Sequence, residues 1–526
     1  MRPESGATES VWMQTTEPPP CEPIPADVRT NVCVIGAGVS GMTTAYLLGR
    51  AGKAVTVIDN GPIGSGETGR TTAHLTAVLD DRYTSLVHLH GTDNARRAAE
   101  SHMAAIERIE AIADLEDIDC DFERVNGYLF LGDGDRRDTL DKELHALHTV
   151  GFSNARITPH APVTAFDTGI AIELARQAQF HPLKYLNGLA KAIVRDGGTI
   201  ACGTKAMSIE DGEPATVKTA DGHTILADDV VVATNSPVND WMVMHSKLAP
   251  YRTYVIAFRI PTGSVPHVLL WDTSDPYHYV RVFSEPGTQD ELLIVGGEDH
   301  KTGQSHDTEE RFARLERWAR NRFSMAGTIR FRWSGQVLEP VDGLAYIGRN
   351  PGSDKHIYII TGSSGNGMTG GTLGGMLITD LLLERENPWV SLYDPGRITM
   401  RSATEYAREN INVVEQYAQW LTPGDVGDVD DIEPGSGAVI RRGIHKIAVY
   451  KDETGHVTER SAVCTHLYCI VDWNDTEKTW DCPCHGSRFD AYGRVVTGPA
   501  IADLGPPPTQ TAKHTPTRPS EVAPAV

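Results

Sequence analysis

The chain has 526 residues, enough for two or three domains that each bury a core of their own. Its formal net charge of −22 argues against nucleic acid and anionic membrane surfaces as partners, since both would repel it. The N-terminus, MRPESGATESVWMQTTEPPP, lacks an apolar signal core, and the most apolar stretch, Ile357 to Leu383, is broken by glycines and polar residues. Neither a leader nor membrane insertion is therefore expected, and a cytoplasmic location is.

In chain order, residues 1–27 form a Pro-rich arm, and Val28 to Asp59 then reads as strand, Gly-rich turn, helix, strand. Helices are predicted at 94–113 and 182–193, followed by a hydrophobic strand at 229–234. From about Leu248 to Ile347, period-two runs such as TYVIAFRI and YHYVRVF predict an antiparallel sheet. The strand Ile357–Thr361 leads through a Gly-rich turn into a helical run ending near Leu383, and Arg401 to Leu421 reads as one amphipathic helix. Residues 28–421 thus make a first module. A Gly/Asp/Pro-rich linker at 422–437, a small strand-rich module at 438–508 and a disordered Pro/Thr/Ala tail at 509–526 follow. Cys21, Cys33, Cys120 and Cys202 are scattered without metal spacing and are expected as buried thiols.

Two motifs carry chemistry. The first is G-x-G-x-x-G at Gly36, Gly38 and Gly41, between strand and helix, with Asp59 at the end of the next strand. The glycines allow a tight turn and close approach of a pyrophosphate to a helix N-terminus, and the acid can hydrogen-bond a ribose. The motif marks a dinucleotide without naming it. Taken with S-G-E-T-G-R at Ser65–Arg70, DVVVATNS, R-W-S-G at Arg332–Gly335, D-G-L-A-Y-I-G at Asp342–Gly348 and T-G-S-S-G-N-G-M-T at Thr361–Thr369, it resembles the D-amino-acid oxidase superfamily of FAD proteins. That resemblance implies an α/β Rossmann-like FAD-binding domain with an antiparallel-sheet substrate domain. It also implies FAD contacts from Ser65, Thr68 and Arg70, and backbone donors from Gly367, Met368 and Thr369 at the flavin pyrimidine end. Members that tether FAD covalently often carry histidine where Arg70 stands, so non-covalent FAD is expected.

The second motif is C-x-H…C-x-x-H, Cys464 and His466 followed after fifteen positions by Cys482 and His485. Two thiolates and two imidazoles are the ligand set of a Rieske [2Fe–2S] cluster, which moves single electrons, and the Cys-x-His pair is too tight for an ordinary zinc loop. The loops resemble the Rieske proteins of cytochrome bc complexes, within an all-β domain. By that resemblance Cys469 and Cys484 form a disulfide, Ser487 hydrogen-bonds a bridging sulfide, and Phe489 replaces a tyrosine that donates to a ligand sulfur.

Superfamily members that oxidise amines and amino acids transfer hydride from the carbon beside nitrogen to the flavin. Tyr279 and Arg281, two apart on one strand face, are candidates to bind a substrate carboxylate. His300, after Glu298 and Asp299, is a candidate base, and Glu339 a candidate partner for an ammonium. The leading reading is an FAD-dependent oxidoreductase that oxidises a C–N bond and passes electrons one at a time through the cluster to an unidentified acceptor. An NAD(P)H-dependent flavin/Rieske reductase remains an alternative, weakened by the lack of a second G-x-G-x-x-G, as does a non-enzymatic redox sensor. A Rieske oxygenase is not expected, because the 41 residues after His485 contain one histidine, His514.

Overall fold

The structure, a computed structural model, describes residues 5–239, 244–285, 287–352 and 354–508. The tail expected at 509–526 lies outside the described residues.

The hydrophobic runs VCVI, VTVI and VVV become neighbouring strands because each is apolar on both faces, as a covered parallel sheet requires. Val28–Ile35 pairs in parallel with Val55–Ile58 on one side and with Thr224–Val232 on the other. The sheet runs on through Ile357–Thr361 to Tyr346–Arg349 at one edge, and reaches Thr199–Ala201 at the other. The helix Val39–Arg50 lies against Gly367–Leu382, and small residues set the distance: a Cβ on Gly375 would come within 2.8 Å of Thr43.

The second large sheet is mostly antiparallel. Ile329–Pro340, Leu248–Pro261, Asp290–Lys301, His278–Ser284 and Leu269–Asp272 follow one another, then Glu123–Phe130, Ala171–Gln179 and His74–Leu75. The helix Thr308–Arg322 covers one face, burying Phe312, Leu315 and Ala319. Beyond residue 421 come two small antiparallel sheets, Ser436–Arg442 to Val457–Ser461 and Asp472–Asn474 to Val495–Thr497, which carry the cluster loops. The chain is a multidomain α/β plus all-β protein, and no helix among the described residues is long and apolar enough to cross a membrane.

Two expectations change, for Cys21 with Cys202 and for the helix at 401–421, and two segments gain detail. The N-terminal arm is packed: its helix Val11–Thr15 buries Val11 and Trp12 completely. Cys21 and Cys202 are not thiols but a disulfide, their Cα atoms 5.4 Å apart, because the arm folds back beside the strand Thr199–Ala201. Cys33 and Cys120 do remain buried thiols. The linker is held to its neighbours, Asp425 N–H donating to Val439 O and Lys446 Nζ donating to Thr422 O. The amphipathic helix spans Ala403–Gln416, tightens into a 3₁₀ turn through Leu421, and bridges both modules: Tyr417 Oη donates to Leu467 O at 2.6 Å and Trp420 Nε1 to Tyr468 O at 3.1 Å.

Candidate active site and cluster loops

One long cavity runs from the first glycine-rich turn to the N-terminus of Gly367–Leu382. Gly36 ends its strand at φ +115°, a conformation that disfavours any side chain, and a Cβ there would lie 2.5 Å from Ala233 O. A Cβ on Gly41 would lie 1.9 Å from Gly36 O. The helix Val39–Arg50 can therefore start close over the strand, with Gly36, Gly38, Asp59, Ser65 and Thr68 in the cavity wall. Asp59 accepts from the amides of Ala37 at 2.6 Å and Gly61 at 2.8 Å; burial raises its pKa while those amides oppose the rise. Thr68 Oγ1 accepts from Val39 N–H at 3.1 Å. At the far end Gly367 and Met368 line the cavity, and the first amides of their helix have no carbonyl partner within it. Thr369 turns its hydroxyl to His102 Nδ1 at 2.9 Å, outside the lining.

A cavity with a helix N-terminus at each end and a turn closed to side chains fits a dinucleotide that gains negative charge on reduction. The residues around Gly36 and Asp59 would hold its adenosine and pyrophosphate, and the amides from Gly367 its redox-active end.

Arg70 borders this cavity with Ser65 and Thr68, but its guanidinium is committed to protein partners. Its Nε donates to Ser5 Oγ at 2.6 Å, Nη2 to Thr8 O at 2.8 Å, and Nη1 to Ser334 O at 2.8 Å. Nη1 also pairs with Glu477 Oε1 at 3.1 Å, both side chains being fully buried. The reason lies in an insertion that local sequence does not announce: the arm and the C-terminal module meet on this residue.

Of the four candidates for substrate contact, Tyr279 reaches the cavity wall, its hydroxyl 2.7 Å from Thr253 Oγ1. Arg281 shares its strand face but is consumed further along, donating to the carbonyls of Thr72, Ala73 and Phe180 and lying 5.3 Å from the centroid of the Trp12 ring. Burial lowers its pKa to about 9. His300 stacks on Tyr254 and bonds its hydroxyl at 2.8 Å, off the cavity, with burial pulling its pKa to about 4. Glu339 faces a separate hollow shared with Asp81 and Glu405, and burial, then Asp81, raise its pKa well above the carboxylate range.

The structure brings to Tyr279 several residues that sequence reasoning missed. Asp80, Trp271, Tyr277 and Asp299 line the same end of the cavity. Tyr277 Oη donates to Asp80 Oδ2 at 2.9 Å, and the Tyr277 and Tyr279 ring centroids are 5.5 Å apart. Asp80 opens onto the cavity but is crowded by protein elsewhere, and burial raises its pKa to about 6; burial raises Asp299 to about 7. Tyr277 has a weak signal, standing two before Tyr279, whereas Asp80 sits in a loop with no motif.

In the C-terminal module Cys464 and Cys482 are buried free thiols in hydrogen-bond contact. The rings of His466 and His485 stand 5.1 Å apart, and Nδ1 of His485 is buried with no hydrogen-bond partner. Cys469 and Cys484 are joined as a disulfide across the two loops. Two converging thiols and two imidazoles are the donor chemistry that a Rieske cluster takes. Ser487 Oγ lies beside Cys464 and accepts from Ala500 N–H at 3.0 Å, and Phe489 is wholly buried nearby.

The two modules share walls. His245 of the first packs against both imidazoles, ring centroids at 4.8 Å from His466 and 6.0 Å from His485. Gln336 lines the long cavity while its Nε2 donates to Gly486 O, next to His485, at 3.0 Å. Val495 to Gly498, with Ala500 and Ile501, close the same cavity from the C-terminal side.

Residues 31–381 match the family described as FAD dependent oxidoreductase (DAO), and residues 422–511 match the Rieske [2Fe-2S] domain. The chain is 31% identical over 503 residues to the Rieske 2Fe-2S iron-sulfur protein YhfW of Bacillus subtilis (strain 168), covering 95% of this chain and 97% of that one. It is 27% identical over 403 residues to gamma-glutamylputrescine oxidoreductase of Escherichia coli (strain K12), covering 73% and 92%. Among solved structures it is similar to glycine oxidase from Geobacillus kaustophilus, with a TM-score of 0.58, 18% identity, and coverage of 70% of this chain and 99% of that one. The chain thus belongs to the DAO family of FAD-dependent oxidoreductases, as an enzyme of the amine/amino-acid oxidase type that carries a C-terminal Rieske [2Fe–2S] domain.

Proposed function

We propose that the protein oxidises a C–N bond of an amine or amino acid and sends the electrons, one at a time, through its Rieske domain to a separate acceptor. In such a reaction the C–H bond beside nitrogen would break with its electron pair passing as hydride to the acceptor that FAD would supply, the lone pair of the neutral amine would form the C=N bond, and water would later release the carbonyl product. FAD supplies the two-electron acceptor and the cluster a one-electron outlet.

The chain's own residues bind, orient and exclude water. The Tyr279 end of the cavity would hold the substrate against the redox-active end of the cofactor, and the strand residues Thr253 and Gln336 would hold that wall in place. The observation that carries the electron route is the shared wall: Gln336 borders the flavin cavity and holds the loop carrying His485. The E. coli relative is named for γ-glutamylputrescine, and the structural neighbour for glycine, both of which carry an amine. The strand Thr224–Val232 leads into Ala233–Asn235 without a second glycine fingerprint, which weighs against a nicotinamide site.

Anaerobic stopped-flow mixing with a panel of amines, amino acids and NAD(P)H tests this reading. Flavin bleaching by an amine or amino acid, followed by cluster reduction, is expected. Fast bleaching by NADH or NADPH with silence from every amine and amino acid would overturn it in favour of a reductase.

A further inference from the structure

We propose that the substrate end of the flavin cavity selects an amine bearing a second cationic group, a diamine or polyamine, over a substrate bearing a carboxylate. The inference rests on the oxidation reading above and adds its substrate class.

The charges at that end are one-sided. Asp80 and Asp299 both line it, and Asp299 Oδ1 is a buried acceptor with no hydrogen-bond partner. Asp81 stands behind Asp80, and the raised pKa of Glu339 registers the crowding of acidic groups around it. The cations that could offset this charge are committed or remote. Arg70 is neutralised by Glu477, and Arg281, which donates through Nη1 to three backbone carbonyls and leaves its buried Nε without a partner, does not line the cavity. Arg311 is held by Asp307 and by the carbonyls of Glu298 and Asp299, while Arg82 flanks Asp80 without lining the cavity. Lys205 lines the opposite end, next to Thr204, whose amide bonds Asp59 O. His74 is in the wall but burial keeps it neutral. A substrate carboxylate at this end would therefore meet two carboxylates, while the cations in the lining are Arg70, already paired with Glu477, and Lys205 at the opposite end.

The walls suit the opposite charge. Trp271, Tyr277 and Tyr279 present aromatic surface between the carboxylates, and aromatic faces with nearby carboxylates attract ammonium groups when water is excluded. The Asp299 carboxyl has a hydrogen bond to Thr253 but its buried Oδ1 has none; an unpaired buried carboxylate oxygen is costly, and a ligand ammonium there removes that cost on binding. The reacting nitrogen must give up its proton to form C=N, so the carboxylates serve the other cationic group, which stays charged throughout.

The test uses the full-length holoenzyme and anaerobic flavin reduction by α,ω-diamines of about three to six carbons, the matching monoamines and the matching ω-amino acids. The best diamine is expected to show a KM at least about tenfold below its monoamine, and the ω-amino acids to leave the flavin oxidised. Asp299→Asn and Asp80→Asn should each raise KM for the diamine about tenfold or more, and by more than any change in KM for the matching monoamine. Unchanged flavin and cluster spectra in the variants would show that folding is intact. Reduction by ω-amino acids as efficient as by diamines, or diamine KM indifferent to both substitutions in folded protein, would overturn the inference while leaving C–N oxidation standing. Silence from every compound here while an α-amino acid bleaches the flavin would overturn this inference alone, and silence from α-amino acids as well would remove the oxidation reading with it.

Discussion

At the scale of single residues, the cluster loops make the sharpest prediction. Ser487 sits beside Cys464, while Phe489, wholly buried, offers no donor where related loops carry a phenol. Each hydrogen bond to a cluster sulfur stabilises the reduced, more negative state and raises the potential. Phe489→Tyr should therefore raise the potential by tens of millivolts, one hydrogen bond of about 1 kcal/mol being worth about 40 mV for a one-electron couple. Protein-film voltammetry reads this directly, and a lowered potential with the cluster intact would mean that the added hydroxyl does not reach a sulfur. The same scale shows how a residue type misleads. Arg281 and Tyr279 stand two apart on one strand face, yet Tyr279 lines the cavity and Arg281 closes a set of backbone carbonyls under Trp12.

At the scale of elements, the N-terminal arm is the part whose role its sequence conceals. Its short helix is held by Ser10 at its N-cap and by Trp12, whose Nε1 donates to Thr71 O at 2.6 Å and whose ring meets Phe283 edge-on at 4.9 Å. Isolated helices of one or two turns are unstable in water, so burial of Trp12 and the Cys21–Cys202 bridge hold this one in place. Trp12→Ala should cost about 3–5 kcal/mol, the usual range for emptying a buried aromatic site. Trp12→Phe should cost less, because it keeps most of the apolar contact. Denaturant unfolding measures both, and a loss below about 1 kcal/mol for the alanine variant would show that the arm is a mere appendage.

At the scale of the whole molecule, a buried ionic network joins the modules. Glu477 meets Arg70, Thr8 and Ser334; Asp481 meets Arg252 and Arg488; and Arg488 Nη1 donates to Ser5 O at 2.7 Å. Burial alone would raise the Glu477 pKa, but the guanidinium groups of Arg70, Arg252 and Arg488 overcome it and hold the pKa at about 2. A carboxylate depressed in the folded state stabilises it fully above its ordinary pKa near 4.5, and that stabilisation drains away as pH falls toward 2. Stability should therefore fall between about pH 5 and pH 2, with the modules separating as Glu477 takes up a proton. Glu477→Gln should cost about 3–5 kcal/mol at neutral pH, because it leaves Arg70 buried without its counter-charge, and should flatten the acid limb. Acid titration followed by tryptophan fluorescence and cluster absorbance checks both. An acid limb identical in the variant would show that other carboxylates control it.

The order of elements and the cofactor loops were legible in the chain because their physics is local. Period-two runs mark strands, a glycine turn between strand and helix marks a dinucleotide site, and four ligands at short spacing mark the cluster. The strand Ile357–Thr361 could be read to the residue for that reason, whereas Gly367 at the start of the following helix came from the family resemblance. What faces what could not. Cys21 meets Cys202 across 181 residues, Arg70 meets Glu477 across 407, and Asp80 comes beside Tyr277 across 197. Each of these pairings depends on where the sheets and the second module come to rest, and loop carboxylates or arm cysteines carry no periodicity that would announce it. The sequence alone determined the kind of protein, an FAD- and [2Fe–2S]-dependent oxidoreductase. Only the tertiary structure decided that the two modules share a wall and that Asp80 and Asp299 meet at the Tyr279 end of the cavity, because long-range packing alone assigns each charged side chain its partner.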